Sequence, residues 1–231
     1  MRTSLYARVA ALFACGALLT APVAGQTIPS PYRYLEERQE VGVLVGYMNI
    51  ANGRFNYGPK DGTLLGVRYG IELSGPLSFE GVVQYLDGTR WVVDPGRPEG
   101  DRRIGEVAAD VTTVEARLKF TATGRRSWHH ISPFIGFGGG MALDASPESD
   151  LDRTLLADDR FDFGTSFFGT FSGGVRWFAT DRFTVRSEGV LSLWKIDTPP
   201  GYADPDRGFP EVSGGEWLLG SAVTLAVLWR W

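Results

Sequence analysis

The stretch Glu216-Trp217-Leu218-Leu219-Gly220-Ser221-Ala222-Val223-Thr224-Leu225-Ala226-Val227-Leu228-Trp229-Arg230-Trp231 decides the fold. Its side chains separate with a period of two, the repeat of a β-strand. One face carries Trp217, Leu219, Ser221, Val223, Leu225, Val227, Trp229 and Trp231; the other carries Leu218, Gly220, Ala222, Thr224, Ala226, Leu228 and Arg230. Large apolar groups lie on one side, and small groups with a charge lie on the other. In a water-soluble barrel the apolar face would fill the interior, but eight strands leave too little room for so many bulky residues. Lipid around the barrel reverses the assignment, with the apolar face outward and the small, charged face inward.

Working outward, the same division recurs. Leu65, Val67, Tyr69, Ile71 and Leu73 oppose Leu64, Gly66, Arg68, Gly70 and Glu72, while Phe183, Val185, Leu191 and Leu193 oppose Arg186, Glu188 and Ser192. Ile131, Pro133, Ile135, Phe137, Gly139 and Met141 oppose Ser132, Phe134, Gly136, Gly138, Gly140 and Ala142. Eight such segments are expected at 41–49, 63–73, 77–91, 107–121, 130–143, 163–178, 182–195 and 216–231. Their connections alternate. Those at 74–76, 122–129 and 179–181 are short, whereas 50–62, 92–106, 144–162 and 196–215 are long. An all-β, closed antiparallel eight-stranded transmembrane barrel with short periplasmic turns and long extracellular loops is the fold class this predicts. A secreted β-sandwich also alternates, but its inner face should not hold so many charges.

The opening of the chain has the form of a secretory signal peptide: Arg2 and Arg8, an apolar run from Val9 to Leu19, and small residues Val23-Ala24-Gly25 before Gln26. The expected organisation is a signal peptide at 1–25, a periplasmic lead at 26–40 and a barrel at 41–231. The lone cysteine, Cys15, falls in the leader, which excludes a disulfide framework or a cysteine-based site from the mature chain. The 231 residues carry 23 basic and 27 acidic side chains, a net charge of -4 that becomes -6 without the leader. That balance supplies no basic surplus for nucleic acid.

Two further stretches and the C-terminus carry a family likeness. Leu225-Ala226-Val227-Leu228-Trp229-Arg230-Trp231 is similar to the assembly signal of outer-membrane barrels, with tryptophan where phenylalanine is usual. Ser132 to Gly140 and Gly174 to Phe183 resemble strand and turn patterns of small barrels of the OmpA, OmpX and OmpW type. The resemblance implies insertion by the barrel-assembly machinery and residence among outer-membrane lipid and lipopolysaccharide. It implies no single activity, because one fold hosts many.

By parity the lumen is expected to hold Arg68, Arg90, Arg117, Lys119, Arg176, Arg186 and Arg230 with Glu72, Glu80, Glu115 and Glu188. Charges in a narrow, dry interior must pair. The reading adopted is a salt-bridged plug, beside which a gate that exchanges partners and a small-solute pore stay open. Two aromatic girdles are expected: Phe79, Phe120, Trp177, Phe183, Trp229 and Trp231 on the periplasmic side, Tyr47, Trp91, Phe163 and Trp217 on the outer side. Asp150, Asp152, Asp158 and Asp159, in a loop of net charge -4, form a weak calcium candidate without EF-hand spacing. His129 and His130, the only histidines, fall in a short turn away from the outer leaflet, so neither a metal site nor lipid hydrolysis with Ser132 is expected. The expected role is structural or surface-interacting through the loops, with no cofactor, no catalysis and an unidentified loop partner.

Overall fold

A computed structural model describes residues 30–209 and 212–231. The signal peptide expected at 1–25 lies outside the described residues, as do the first residues of the lead. Eleven strands follow in chain order: β1 (Tyr32–Tyr34), β2 (Gln39–Ile50), β3 (Gly62–Ser74), β4 (Leu77–Val93), β5 (Arg103–Ala108), β6 (Val111–Thr121), β7 (Arg126–Trp128), β8 (Ile131–Asp144), β9 (Thr165–Phe178), β10 (Phe183–Asp197) and β11 (Gly215–Arg230).

Eight of them close a cylinder in the order β2-β3-β4-β6-β8-β9-β10-β11, each antiparallel to its neighbours, and β11 returns to β2. The seam runs from Glu40↔Arg230 to Ile50↔Gly220. Two small additions lie off the wall. β5 pairs with β4 alone, and β1 pairs with β7, which the hairpin to β8 connects to the barrel. Trp128 faces Ile131 across that hairpin, whose two turn residues, His129 and His130, have φ of 48° and 64°. Both are therefore left-handed, the requirement of a two-residue type I′ turn.

The outward set forms an apolar belt. Val223 and Phe167 are each 67% exposed, and the outward residues of β11, including Leu219, Leu225 and Val227, are all exposed. A soluble monomer rarely exposes a continuous apolar surface of this kind. The inward set is buried and mixed, with glycine or a small residue beside each long one.

Several boundaries differ from the sequence expectation. The fourth segment is broken at Ala109-Asp110, so that β6 belongs to the wall while β5 lies in the long connection and extends β4 beyond the belt. The lead contributes more than a tail, because β2 begins at Gln39 and Tyr32–Tyr34 forms β1. Among the expected girdle residues, Tyr47, Phe79, Phe120, Trp177, Phe183, Trp217, Trp229 and Trp231 are exposed on the outside. Phe163 is not: it is buried in the interior cluster. Gly164, with φ of 54°, precedes β9 and resets the pleat, so parity counted back from Phe167 fails there. Trp91 is half-buried, covered by Lys60 with Nζ 3.7 Å from its ring centroid and by Arg103 at 5.5 Å.

Candidate functional site

The interior has two chemically distinct halves. Toward the short turns it is filled by ionised side chains, and the register explains why they fit. Arg68, Glu80 and Glu188 lie opposite Gly42, Gly70 and Gly174, and the β6 residues Glu115, Arg117 and Lys119 lie opposite Gly140, Gly138 and Gly136. A glycine on the adjacent strand leaves a trough into which a long side chain lies down. At Gly138 a Cβ would approach Arg117 Cγ to 2.7 Å, and at Gly70 one would come within 3.1 Å of Glu40 Cγ.

Glu188 is the hub. Its carboxylate accepts from Arg68 Nη2 at 2.8 Å, Arg117 Nη1 at 3.0 Å and Arg186 Nη2 at 2.8 Å. Glu80 accepts from Arg186 Nη1 and pairs with Lys119 Nζ, each at 2.6 Å. Glu115 takes Arg117 in a fork, 2.5 Å from Nε and 2.7 Å from Nη2, and also accepts from the Thr170 hydroxyl. Glu40 accepts from Lys119 Nζ at 2.8 Å and Arg176 Nη2 at 2.5 Å. The nine charged groups form one connected cluster, with Arg186 1% and Glu188 2% exposed. Each ion taken from water costs several kcal/mol unless others replace the hydration, and here every carboxylate holds at least two donors. Guanidinium faces are covered as well: Arg186 lies 4.0 Å over the Phe134 ring, and Arg176 and Arg230 lie 5.0 and 4.9 Å over Phe178.

Three residues placed in the lumen by parity stand apart from this cluster. Glu72 pairs with Arg125 of the 122–130 connection at 2.7 Å, at the rim. Arg90 is at the opposite end, bound to Asp152 at 2.6 Å, because β4 continues past the wall before Arg90 is reached. Arg230 reaches the carbonyl of Glu37 at 3.2 Å and its carboxylate at 3.6 Å. Sequence reasoning missed Glu40, Thr170 and Phe178, and it put Phe134 on the inner face without giving it a role there. Extending the β2 alternation by one residue from Val41 would have placed Glu40 inside.

Toward the long loops the interior is apolar. Met48, Leu64, Leu86, Phe168, Trp194 and Leu218 form the layer next to the ions, with Phe168 and Trp194 stacked at 5.0 Å. Where the halves meet, a cavity of about 20 Å³ lies between Glu115, Arg117 and Trp194, room for roughly one water. Above it the loops close the mouth with aromatics: Tyr57 meets Phe161 at 4.9 Å and Tyr202 at 5.3 Å, and Phe55 meets Phe209 at 5.4 Å. Tyr202 donates to the Val93 carbonyl at 2.8 Å, and Tyr57 donates toward Thr198 and Glu216. Burial holds both phenols above their ordinary pKa, Tyr57 being raised further by the charge of Glu216 and Tyr202 by that of Asp159.

The four aspartates of the calcium candidate are not brought together. Asp152 binds Arg90 and Ser149, Asp159 binds Arg207 at 2.5 Å, Asp150 binds Arg153 at 3.2 Å, and Asp158 is exposed in the 3₁₀ turn Ala157–Asp159. Arginines pair with three of the four, and among the described residues no group of three or more metal-ligating side chains forms. Ser132 shares a hydrogen bond of 2.8 Å with Thr123, on the opposite end of the barrel from the long loops.

No family model and no curated protein matches the sequence. Solved structures do match the fold, two of them as follows. Neisserial surface protein A aligns with a TM-score of 0.53 at 12% identity, covering 84% of this chain and 97% of its own. The outer membrane protein OprG from Pseudomonas aeruginosa aligns with a TM-score of 0.51, also at 12% identity, covering 85% of this chain and 98% of its own. At that identity the likeness is one of architecture, and the closed antiparallel wall, apolar outside and charged within, has the fold of the small eight-stranded outer-membrane β-barrels.

Proposed function

We propose that the protein is an integral outer-membrane barrel with a closed lumen, serving a structural or surface-interaction role through its long loops. In this reading the short turns and both ends of the barrel chain face the periplasm. The observation that carries it is the combination of an exposed apolar belt with an interior filled along its length by ion pairs, an apolar layer and loop aromatics. Such an outside suits lipid, and such an inside supports a closed lumen.

The test is to refold the mature chain, verify closure by the heat-dependent shift in gel mobility, and record current across a planar bilayer. The expected result is a heat-modifiable barrel without discrete channel openings. Regular openings that disappear in Arg117→Ala or change in Glu188→Gln would replace the closed barrel with a small-solute pore.

A further inference from the structure

The wall is incomplete at one place. β6 pairs with β8 from Val111↔Asp144 onward, and above that rung β5 has β4 as its only partner strand. Residues 145–164 fold back beside this gap, beginning with the short helix α1 (Asp150–Arg153), and a cavity of about 460 Å³ opens there. That volume falls within the range of small-molecule pockets. Its apolar lining includes Val111, Phe161 and Phe163; its charged lining is four carboxylates, Asp144, Glu148, Asp152 and Asp162, against Arg90 and Arg160.

Both arginines are already matched. Arg90 binds Asp152, and Arg160 binds Glu148 at 3.0 Å and the Leu155 carbonyl at 3.2 Å. Asp144 and Asp162 have no cation among the described residues; each accepts one backbone amide, from Ser146 at 2.8 Å and Gly164 at 2.9 Å. Independently, Asp152 is 4% exposed, and its Oδ1 has no hydrogen-bond partner although Oδ2 is fully engaged. The cavity thus offers acceptors in excess of donors beside two phenyl rings. Arg90 shows how this lining treats a positive charge, with its guanidinium 5.5 Å over Phe161 and its Nη2 on Asp152.

We propose that this cavity binds an organic ammonium ion with an apolar body, the ammonium on Asp144 and Asp162 and the body against Phe161 and Phe163. The loop around it carries a net charge of -4, which attracts such a ligand and repels anions. The proposal does not depend on whether the lumen conducts.

The probe is 4-phenylbutylamine, with 4-phenylbutyrate and 4-phenylbutanol as controls of the same apolar body. Each is titrated calorimetrically into the refolded mature chain in zwitterionic nanodiscs, with empty nanodiscs subtracted. Saturable one-to-one binding of the amine is expected, at least tenfold tighter than that of the carboxylate and weakened at least fivefold in Asp144→Asn/Asp162→Asn. Those changes keep the acceptor for each backbone amide, and the gel-mobility shift verifies that the variant closes. Ala157→Trp, which fills the cavity at unchanged charge, is expected to abolish binding. Equal binding of amine and carboxylate, undiminished amine binding in the double variant, or no saturable heat would each overturn the proposal.

Discussion

Glu188 accepts from three arginines on three strands; without it Arg117 keeps Glu115 and Arg186 keeps Glu80, while Arg68 is left with Glu80 at 3.9 Å. Glu188→Gln keeps the shape but withdraws the charge, and breaking a buried ion pair from one side costs about 3–5 kcal/mol. Unfolding by urea from lipid vesicles is expected to show a loss of this size, whereas Glu72→Gln, at the partly exposed rim pair with Arg125, is expected to lose about 1 kcal/mol or less. Comparable losses in the two variants would mean that the cluster is not a connected unit. A gain is expected at the opposite kind of residue. His129 and His130 both hold left-handed backbone without being glycine or asparagine. His129→Asn/His130→Gly gives the turn the residues it demands and should raise stability by about 1 kcal/mol in the same assay, since a left-handed residue with a Cβ costs roughly 1–2 kcal/mol. No change would show that the turn is not strained in lipid.

At the scale of the element, alternation is the signal that made β11 legible, and its consequence can be measured on one strand. Val223 projects outward near the middle of β11, and its neighbour Thr224 is buried inside. Val223→Arg is expected to cost about 2–4 kcal/mol in bilayers, the penalty for a cation at the lipid midplane. A cost near zero would mean that this face does not meet acyl chains. Wherever a segment keeps the pleat, its faces could be read from the sequence: the outward Leu65 and Val67 and the inward Arg68, Arg186 and Glu188 all lie where parity put them. The misreadings fall where the pleat is interrupted or the strand ends. Phe163 turned inward across Gly164, β5 was invisible inside a long connection, and Arg90 lay beyond the wall on the overlong β4. The loop aromatics Tyr57, Tyr202 and Phe209 carry no periodicity, so their convergence over the mouth depends on contacts between distant segments that no local pattern encodes.

For the whole molecule, the division of the interior matters more than any single pair. An ionic half can be dense only because glycines lie beside the long side chains, and an aromatic half is buried only because the loops fold over it. The partners within the ionic cluster were not legible individually, since they depend on which strands become neighbours across the lumen, yet the sequence did limit the participants to one face of each strand. The seam between β2 and β11 has a different consequence. The first wall strand finds its second neighbour only in the last, with Trp231 and Gln39 exchanging backbone hydrogen bonds at 3.2 and 3.3 Å. Neighbouring strands from β2 to β10 can pair as each is made, but the ring stays open. The cylinder cannot close before β11 has been made, and until then the free edge of β2 lacks the strand that satisfies its backbone.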